Sequence, residues 1–274
     1  MDIKLSIFPK FYQQYSPQML ADLVKEVNLD TTNVIIREGY FVERDTMSKT
    51  LPEFIKVMDQ NGLKVEFASA GFSAESLIKD PTPLAIMADC GIKEFRLAYF
   101  SIIPGETRAA LISARKQLID LVPFLEKNNI RAVYQVHHHT LIPGPSGIWP
   151  IVIDLPPEYI GVELDPGNQS FEGYEKWDKS VELLDEYLVA MGVKDTAIYR
   201  DMNHSDDYDK GWRRYWVPIY DGVVNWHDIL TALNDFNFKG TFVFMPFYDE
   251  NNQEQMTKKL KKEVSYIREL INSF

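Results

Sequence analysis

Cysteine is almost missing from this chain. Cys90 stands alone, so neither an intramolecular disulfide nor a zinc-thiolate cluster can form. On the helix that the surrounding residues predict, Cys90 shares a face with Ile86 and Met87, which points to a small buried apolar residue rather than a reactive thiol. No stretch reaches the roughly 20 apolar residues of a membrane span. The opening Asp2-Ile3-Lys4-Leu5 has neither the basic start nor the long apolar centre of a secretion signal, so the chain reads as cytoplasmic, with no membrane partner. Basic residues are scarce too: 29 Lys and Arg face 40 Asp and Glu, for a formal charge of -11. Such a surface repels phosphate backbones, and nucleic acid is excluded as a partner on that ground. Low-complexity tracts and long runs of one charge are also absent, so the chain is expected to fold throughout.

What is present is alternation. Short β-rich runs occur at Ile3 to Phe8, Asn33 to Arg37, Lys64 to Ala68, Glu94 to Tyr99, Arg131 to Val136, Tyr159 to Leu164, Thr196 to Tyr199 and Gly240 to Phe244. Amphipathic helices are predicted between them, at Pro17 to Val27, Leu51 to Gln60, Pro83 to Cys90, Arg108 to Lys127, Trp177 to Met191, Trp226 to Phe236 and Gln253 to Ile271. After the fifth run comes a Pro- and Gly-rich loop with at most a short helix. Strict β/α order favours a parallel sheet, and eight strands favour closure over an open doubly wound sheet. No strand is followed by a glycine-rich dinucleotide turn, which counts against the open alternative. The expectation is one (β/α)8 TIM barrel spanning residues 1–274.

In such a barrel the chemistry sits where the strands end at the C-terminal face. Those positions are polar here: Arg37-Glu38, Arg96, Gln135-Val136-His137-His138-His139, Asp165-Pro166-Gly167-Asn168 and Arg200-Asp201-Met202-Asn203-His204, with Met245 after the last strand. The run Gly161-Val162-Glu163-Leu164-Asp165-Pro166-Gly167-Asn168, the pair Arg200-Asp201, and Asp221-Gly222-Val223-Val224-Asn225-Trp226 leading to Gly240 carry a resemblance. The chain resembles the xylose isomerase-like TIM barrels, the sugar phosphate isomerase/epimerase superfamily, over nearly its whole length.

That resemblance implies a small carbohydrate-like substrate, a divalent metal (Mn, Mg or Zn) on Glu, Asp, His and Glu from strands five to eight, and a possible homo-oligomer. Carried over residue by residue, the four ligand positions are Gln135, Asp165, about Ile198, and Met245, so Asp165 alone survives as an expected metal ligand. Glutamine cannot act as a general base, and a thioether suits neither Mg nor Mn. The reading is therefore an isomerase- or epimerase-like protein for a small sugar, polyol or derivative, with an altered or lost metal site. The alternative is a non-catalytic barrel that binds carbohydrate. The candidate catalytic residues are Gln135, His137, Asp165 and Asp201. The candidate substrate-binding residues are Glu38, Arg96, Asn168, Arg200, His204, Trp212, Trp216 and Met245. Asp201 and His204 also invite a relocated metal site with Asp165 and His137, since two carboxylates and two imidazoles suit Zn, Mn or Fe. Glu38 and Arg96 are read as pairing with each other or with substrate hydroxyls. Trp212 and Trp216 offer faces for a sugar ring, with Arg213 and Arg214 beside them.

Overall fold

Runs too apolar to alternate become strands that are buried on both faces. The computed structural model describes residues 1–274 apart from 173 and 250. Its strands are β1 (Asp2–Ile7), β2 (Val34–Ile36), β3 (Phe67–Ala70), β4 (Glu94–Arg96), β5 (Arg131–Gln135), β6 (Ile160–Leu164), β7 (Leu188–Val193), β8 (Asp195–Arg200), β9 (Trp212–Val217) and β10 (Lys239–Phe244). Eight of them form one parallel sheet in the order β1-β10-β7-β6-β5-β4-β3-β2, while β8 and β9 pair separately as an antiparallel hairpin. The end strands meet where Asn33 N–H donates to the Ile7 carbonyl at 2.9 Å and the Ser6 hydroxyl donates to Asn33 Oδ1 at 2.7 Å. The fold is the (β/α)8 TIM barrel that the alternation predicts.

The surrounding helices are α1 (Pro17–Glu26), α2 (Met47–Gln60), α3 (Ala74–Lys79), α4 (Thr82–Asp89), α5 (Thr107–Asn128), α6 (Pro145–Val152), α7 (Pro166–Phe171), α8 (Trp177–Leu184), α9 (Trp226–Asp235) and α10 (Gln253–Asn272). Their starts follow capping chemistry. Ser16 Oγ accepts from Met19 N–H ahead of Pro17, and Asn225 Oδ1 accepts from Asp228 N–H ahead of Trp226. Their inner faces, including Leu20, Leu51, Leu118, Trp226 and Leu260, form one core with the sheet. Cys90 packs against that core but is half-buried rather than buried as its position on the predicted helix suggested. Among the described residues, no helix is long and apolar enough to cross a membrane.

The seventh strand departs from the sequence reading. Helix α8 stops at Leu184, and Asp185 takes a left-handed φ of 39°, so the predicted helix to Met191 is cut short. Leu188-Val189-Ala190-Met191-Gly192-Val193 is the barrel strand, buried at every residue and paired with both β6 and β10. Thr196 to Tyr199 belongs instead to β8, outside the barrel, where Ile198 is 40% exposed. An apolar run continuing a helical pattern satisfies either reading locally, and two-sided burial decides between them. Strand three is also displaced, from Lys64–Ala68 to Phe67–Ala70, and the loop after strand five holds the two-turn α6.

A buried acid ties α10 to the barrel. Glu263 Oε1 accepts from Ile219 N–H at 2.9 Å, its other oxygen meets the Tyr248 hydroxyl, and burial pushes the carboxyl up to about 8. In the unfolded chain it ionises near pH 4.5, so stability is full below that pH and is lost as pH rises toward 8. The slope is at most roughly 1.4 kcal/mol per unit. The melting temperature is therefore expected to fall between pH 5 and pH 8, and to fall less in Glu263→Gln, which keeps both hydrogen bonds. An equal fall in the variant would assign the dependence to other groups.

Candidate site at the C-terminal mouth of the barrel

Strand ends deliver the mouth. Gln135 is the last residue of β5, Arg96 the last of β4, Asp165 follows β6, Lys194 follows β7, and Met245 follows β10. Asp165 is held from two sides. Its Oδ1 caps α7 by accepting from Asn168 N–H at 2.9 Å, while its Oδ2 accepts from Gln135 Nε2 at 2.6 Å and faces Lys194 Nζ at 3.4 Å. The amide of Gln135 is oriented from its other end, because Oε1 accepts from Arg96 Nη1 at 2.9 Å and from the Tyr99 hydroxyl at 2.7 Å. Gln135 Nε2 also lies 3.6 Å from Met245 Sδ. One network thus links five strand ends.

Lys194 is only 3% exposed, and its ammonium lies 4.4 Å from the Trp216 ring centroid and 4.8 Å from that of Phe247. Burial lowers its pKa, and Asp165 opposes that shift. Two glycines allow the close approach: a Cβ on Gly167 would sit 2.6 Å from Lys194 Cγ, and one on Gly192 would sit 2.9 Å from Asp165 Oδ2. Deeper in the barrel, burial pushes Glu163 up to about 7.

Histidines close one side. His137 Nδ1 lies 2.7 Å from the His138 carbonyl oxygen, so Nδ1 carries the proton and Nε2 keeps the lone pair. Burial first, and Lys194 second, lower its pKa to about 4, so the ring is neutral at pH 7. Asn168 Nδ2 donates to the Val136 carbonyl at 3.1 Å, which turns Oδ1 to receive His138 Nδ1 at 2.7 Å. His138 stacks on His137 at 4.4 Å and on Phe171 at 4.8 Å. The cavity enclosed by these groups has about 320 Å³ and is lined also by Phe8, Lys10 and Arg37.

Of the residues singled out from the sequence, Arg96, Gln135, His137, Trp216 and Met245 line this cavity, and Asp165 and Asn168 support it from beneath. The other residues of the hairpin, Arg200, Asp201, His204 and Trp212, do not converge there. Arg200 Nε donates to the Lys210 carbonyl at 3.1 Å, Asp201 and His204 sit at the turn after β8 with 3.8 Å between them, and Trp212 is 54% exposed beside a separate open hollow. Arg213 is engaged by Asp207 and Asp209. Among the described residues, no three His, Cys, Asp or Glu side chains converge as a metal ion requires, so the relocated Asp165, His137, Asp201 and His204 set is not assembled. These corrections follow from the strand-seven shift, which carries Arg200-Asp201 onto the hairpin. Glu38 is exposed, and the partner of Arg96 is Gln135 rather than Glu38.

The description "xylose isomerase-like TIM barrel" matches residues 84–270. The chain belongs to that family. No curated protein sequence matches the chain. Among solved structures it is similar to D-psicose 3-epimerase in the presence of D-fructose, at 15% identity and TM-score 0.74, covering 98% of this chain and 99% of that one. It is similar to the IolI protein with a bound zinc atom, at 14% identity and TM-score 0.75, covering 99% of each chain. It is also similar to a probable 3-DHS dehydratase from Bacillus anthracis, at 15% identity and TM-score 0.71, covering 98% of this chain and 99% of that one. At such identities the likeness establishes the fold, and the site must be argued from this chain's own residues.

With β7 placed, the Lys-Asp pair that follows the family's strand seven falls on Lys194-Asp195, and the histidine position two residues earlier falls on Gly192 rather than Ile198. Lys194 escaped the sequence reading for the same reason that β7 did. The available signal was an unbroken apolar run ending in Lys-Asp, a closer match to the motif than Arg200-Asp201.

Proposed function

We propose that this protein is an isomerase- or epimerase-like barrel that takes a small sugar, polyol or derivative at its C-terminal mouth, with the family's divalent-metal site lost. The observation that carries this reading is Lys194, whose ammonium faces the one remaining ligand carboxylate, Asp165, at 3.4 Å. The donor set does not fit Mg or Mn. Asp165 Oδ2 already faces two N–H donors, Gln135 turns its oxygen to Arg96 and Tyr99, Gly192 offers no side chain, and Met245 is a soft ligand.

Proton transfer beside a carbonyl can be arranged without a metal. His137, neutral with Nε2 free of its proton, is the base that this site offers, and Lys194 and Arg96 supply positive charge where an enolate oxygen would develop. Asp165, Gln135 and Asn168 are positioning residues, since they act through Lys194, Arg96 and His138. A non-catalytic sugar-binding barrel is the second reading, favoured by the lack of paired carboxylates at Gln135 and Met245.

One experiment separates them. The protein is incubated in heavy water with ketoses and aldoses, and carbon-bound deuterium is read by NMR. Exchange at the carbon next to the carbonyl, lost in His137→Ala, is the expected result. Binding without exchange would favour the non-catalytic reading. Elemental analysis after dialysis should find no stoichiometric Mg or Mn, and about one ion per chain would overturn the loss of the metal site.

A further inference from the structure

The mouth gathers cationic side chains in a chain whose formal charge is -11. Lys10, Arg37, Arg96 and Lys194 all line the cavity, and among the described residues no carboxylate lines it. Beneath the lining, Asp165 faces Lys194 at 3.4 Å, and buried Glu163 lies close enough to Arg96 and Lys194 for both to lower its pKa against burial. Among the described residues neither Arg37 nor Arg96 has a carboxylate within 4.0 Å, and the one hydrogen-bond partner of Arg96 is the neutral Gln135. Arg37 Nε is buried without any partner. Both guanidiniums lie over the same ring, with the carbons of Arg37 and Arg96 at 5.6 Å and 4.6 Å from the Phe8 centroid. Burial first, and Arg96 second, lower the pKa of Arg37.

Placing like charges together out of water is costly, and it persists where an opposite charge arrives to complete the set. A guanidinium presents a planar fork of N–H donors that matches the two oxygens of a carboxylate or the edge of a phosphate. Positive groups within low-dielectric walls also focus field into the cavity, against the repulsion of the acidic surface around it.

We infer that the ligand of this cavity carries an oxyanion, a carboxylate or a phosphate, received by Arg37, Arg96 and Lys194. This rests on the reading of the mouth as a site for polyhydroxy compounds, and it names the charge that such a compound bears. The hydroxylated remainder faces Trp216, Phe247 and His137, which line the rest of the cavity.

The test uses gluconate, glucose 6-phosphate, inorganic phosphate and glucose as probes. Affinity is followed by tryptophan emission and by melting temperature at two salt concentrations. Gluconate or glucose 6-phosphate is expected to bind at least about tenfold more tightly than glucose, and less tightly at high salt. The carboxylate and phosphate arms tell which oxyanion is preferred. Arg37→Met should raise the melting temperature of the free protein, because a half-buried like charge beside Arg96 is removed, and should weaken anion binding at least about tenfold and glucose binding by much less. A purely structural arginine would lower the melting temperature instead.

Glucose binding as tightly as gluconate and glucose 6-phosphate, or Arg37→Met binding the anions like the parent, would overturn the oxyanion and leave the proposed function standing. No binding of any probe would overturn both. Binding of inorganic phosphate but of none of the sugars would keep the oxyanion and overturn the sugar reading.

Discussion

Asp195→Ala is expected to lower folding stability by about 3–5 kcal/mol, read as a shift of the urea midpoint at unchanged slope. Asp195 is fully buried and accepts from Thr196 N–H at 2.7 Å, Val223 N–H at 3.1 Å, Val224 N–H at 3.2 Å and Trp226 Nε1 at 3.2 Å. Removing the carboxylate orphans three donors, Thr196 N–H, Val224 N–H and Trp226 Nε1–H, since Val223 N–H keeps the Thr196 carbonyl at 2.9 Å, and each buried unpaired group costs about 1–3 kcal/mol before relaxation. The segment ahead of α9 is built around it: a Cβ on Gly222 would stand 2.0 Å from its carboxyl carbon. Burial pushes the acid up to about 6, so it is ionised at pH 7 but at a cost. Asp195→Asn keeps the volume and one acceptor and should lose less than the alanine variant. A loss below about 1 kcal/mol in Asp195→Ala would mean that water replaces the carboxylate and that the packing is looser than these distances imply.

The second large effect concerns metal. Gln135→Glu with Met245→Glu is expected to bind no Mn, because the introduced carboxylates meet cations already in place, Lys194 and Arg96. Adding Lys194→Ala removes the ammonium from Asp165, and this triple variant is expected to bind Mn with water completing the shell. At a hundredfold excess over Kd, Mn would stabilise it by roughly 2.7 kcal/mol. Calorimetry compares the double and triple variants, and metal-dependent refolding serves as the readout should the triple variant unfold when metal-free. If both bind Mn equally well, Lys194 does not hold the metal's position. If neither binds it, the strand ends do not converge as their registers imply.

Much of the barrel was legible because its signals are local. Glycine stops such as Gly62 and Gly91, and apolar runs at β1, β5, β6 and β10, each mark their own element within a few residues. Gln135, Asp165 and Met245 could be read from strand ends because a barrel assigns every strand end to one face. Lys194 could not, since its place depended on whether Leu188 to Val193 continued a helix or started a strand. Six consecutive apolar residues fit both.

The sequence by itself determined the alternating order, the count of eight strands and the single unpaired cysteine, because each is a property of spacing or composition. Only the tertiary structure decided the seventh strand, the hairpin that carries Arg200, Asp201 and His204 away from the mouth, and the meeting of Arg37, Arg96 and Lys194 in one cavity. The physical reason is that burial on both faces, and cations gathered from three strands far apart in the chain, are relations between segments. No local window contains them.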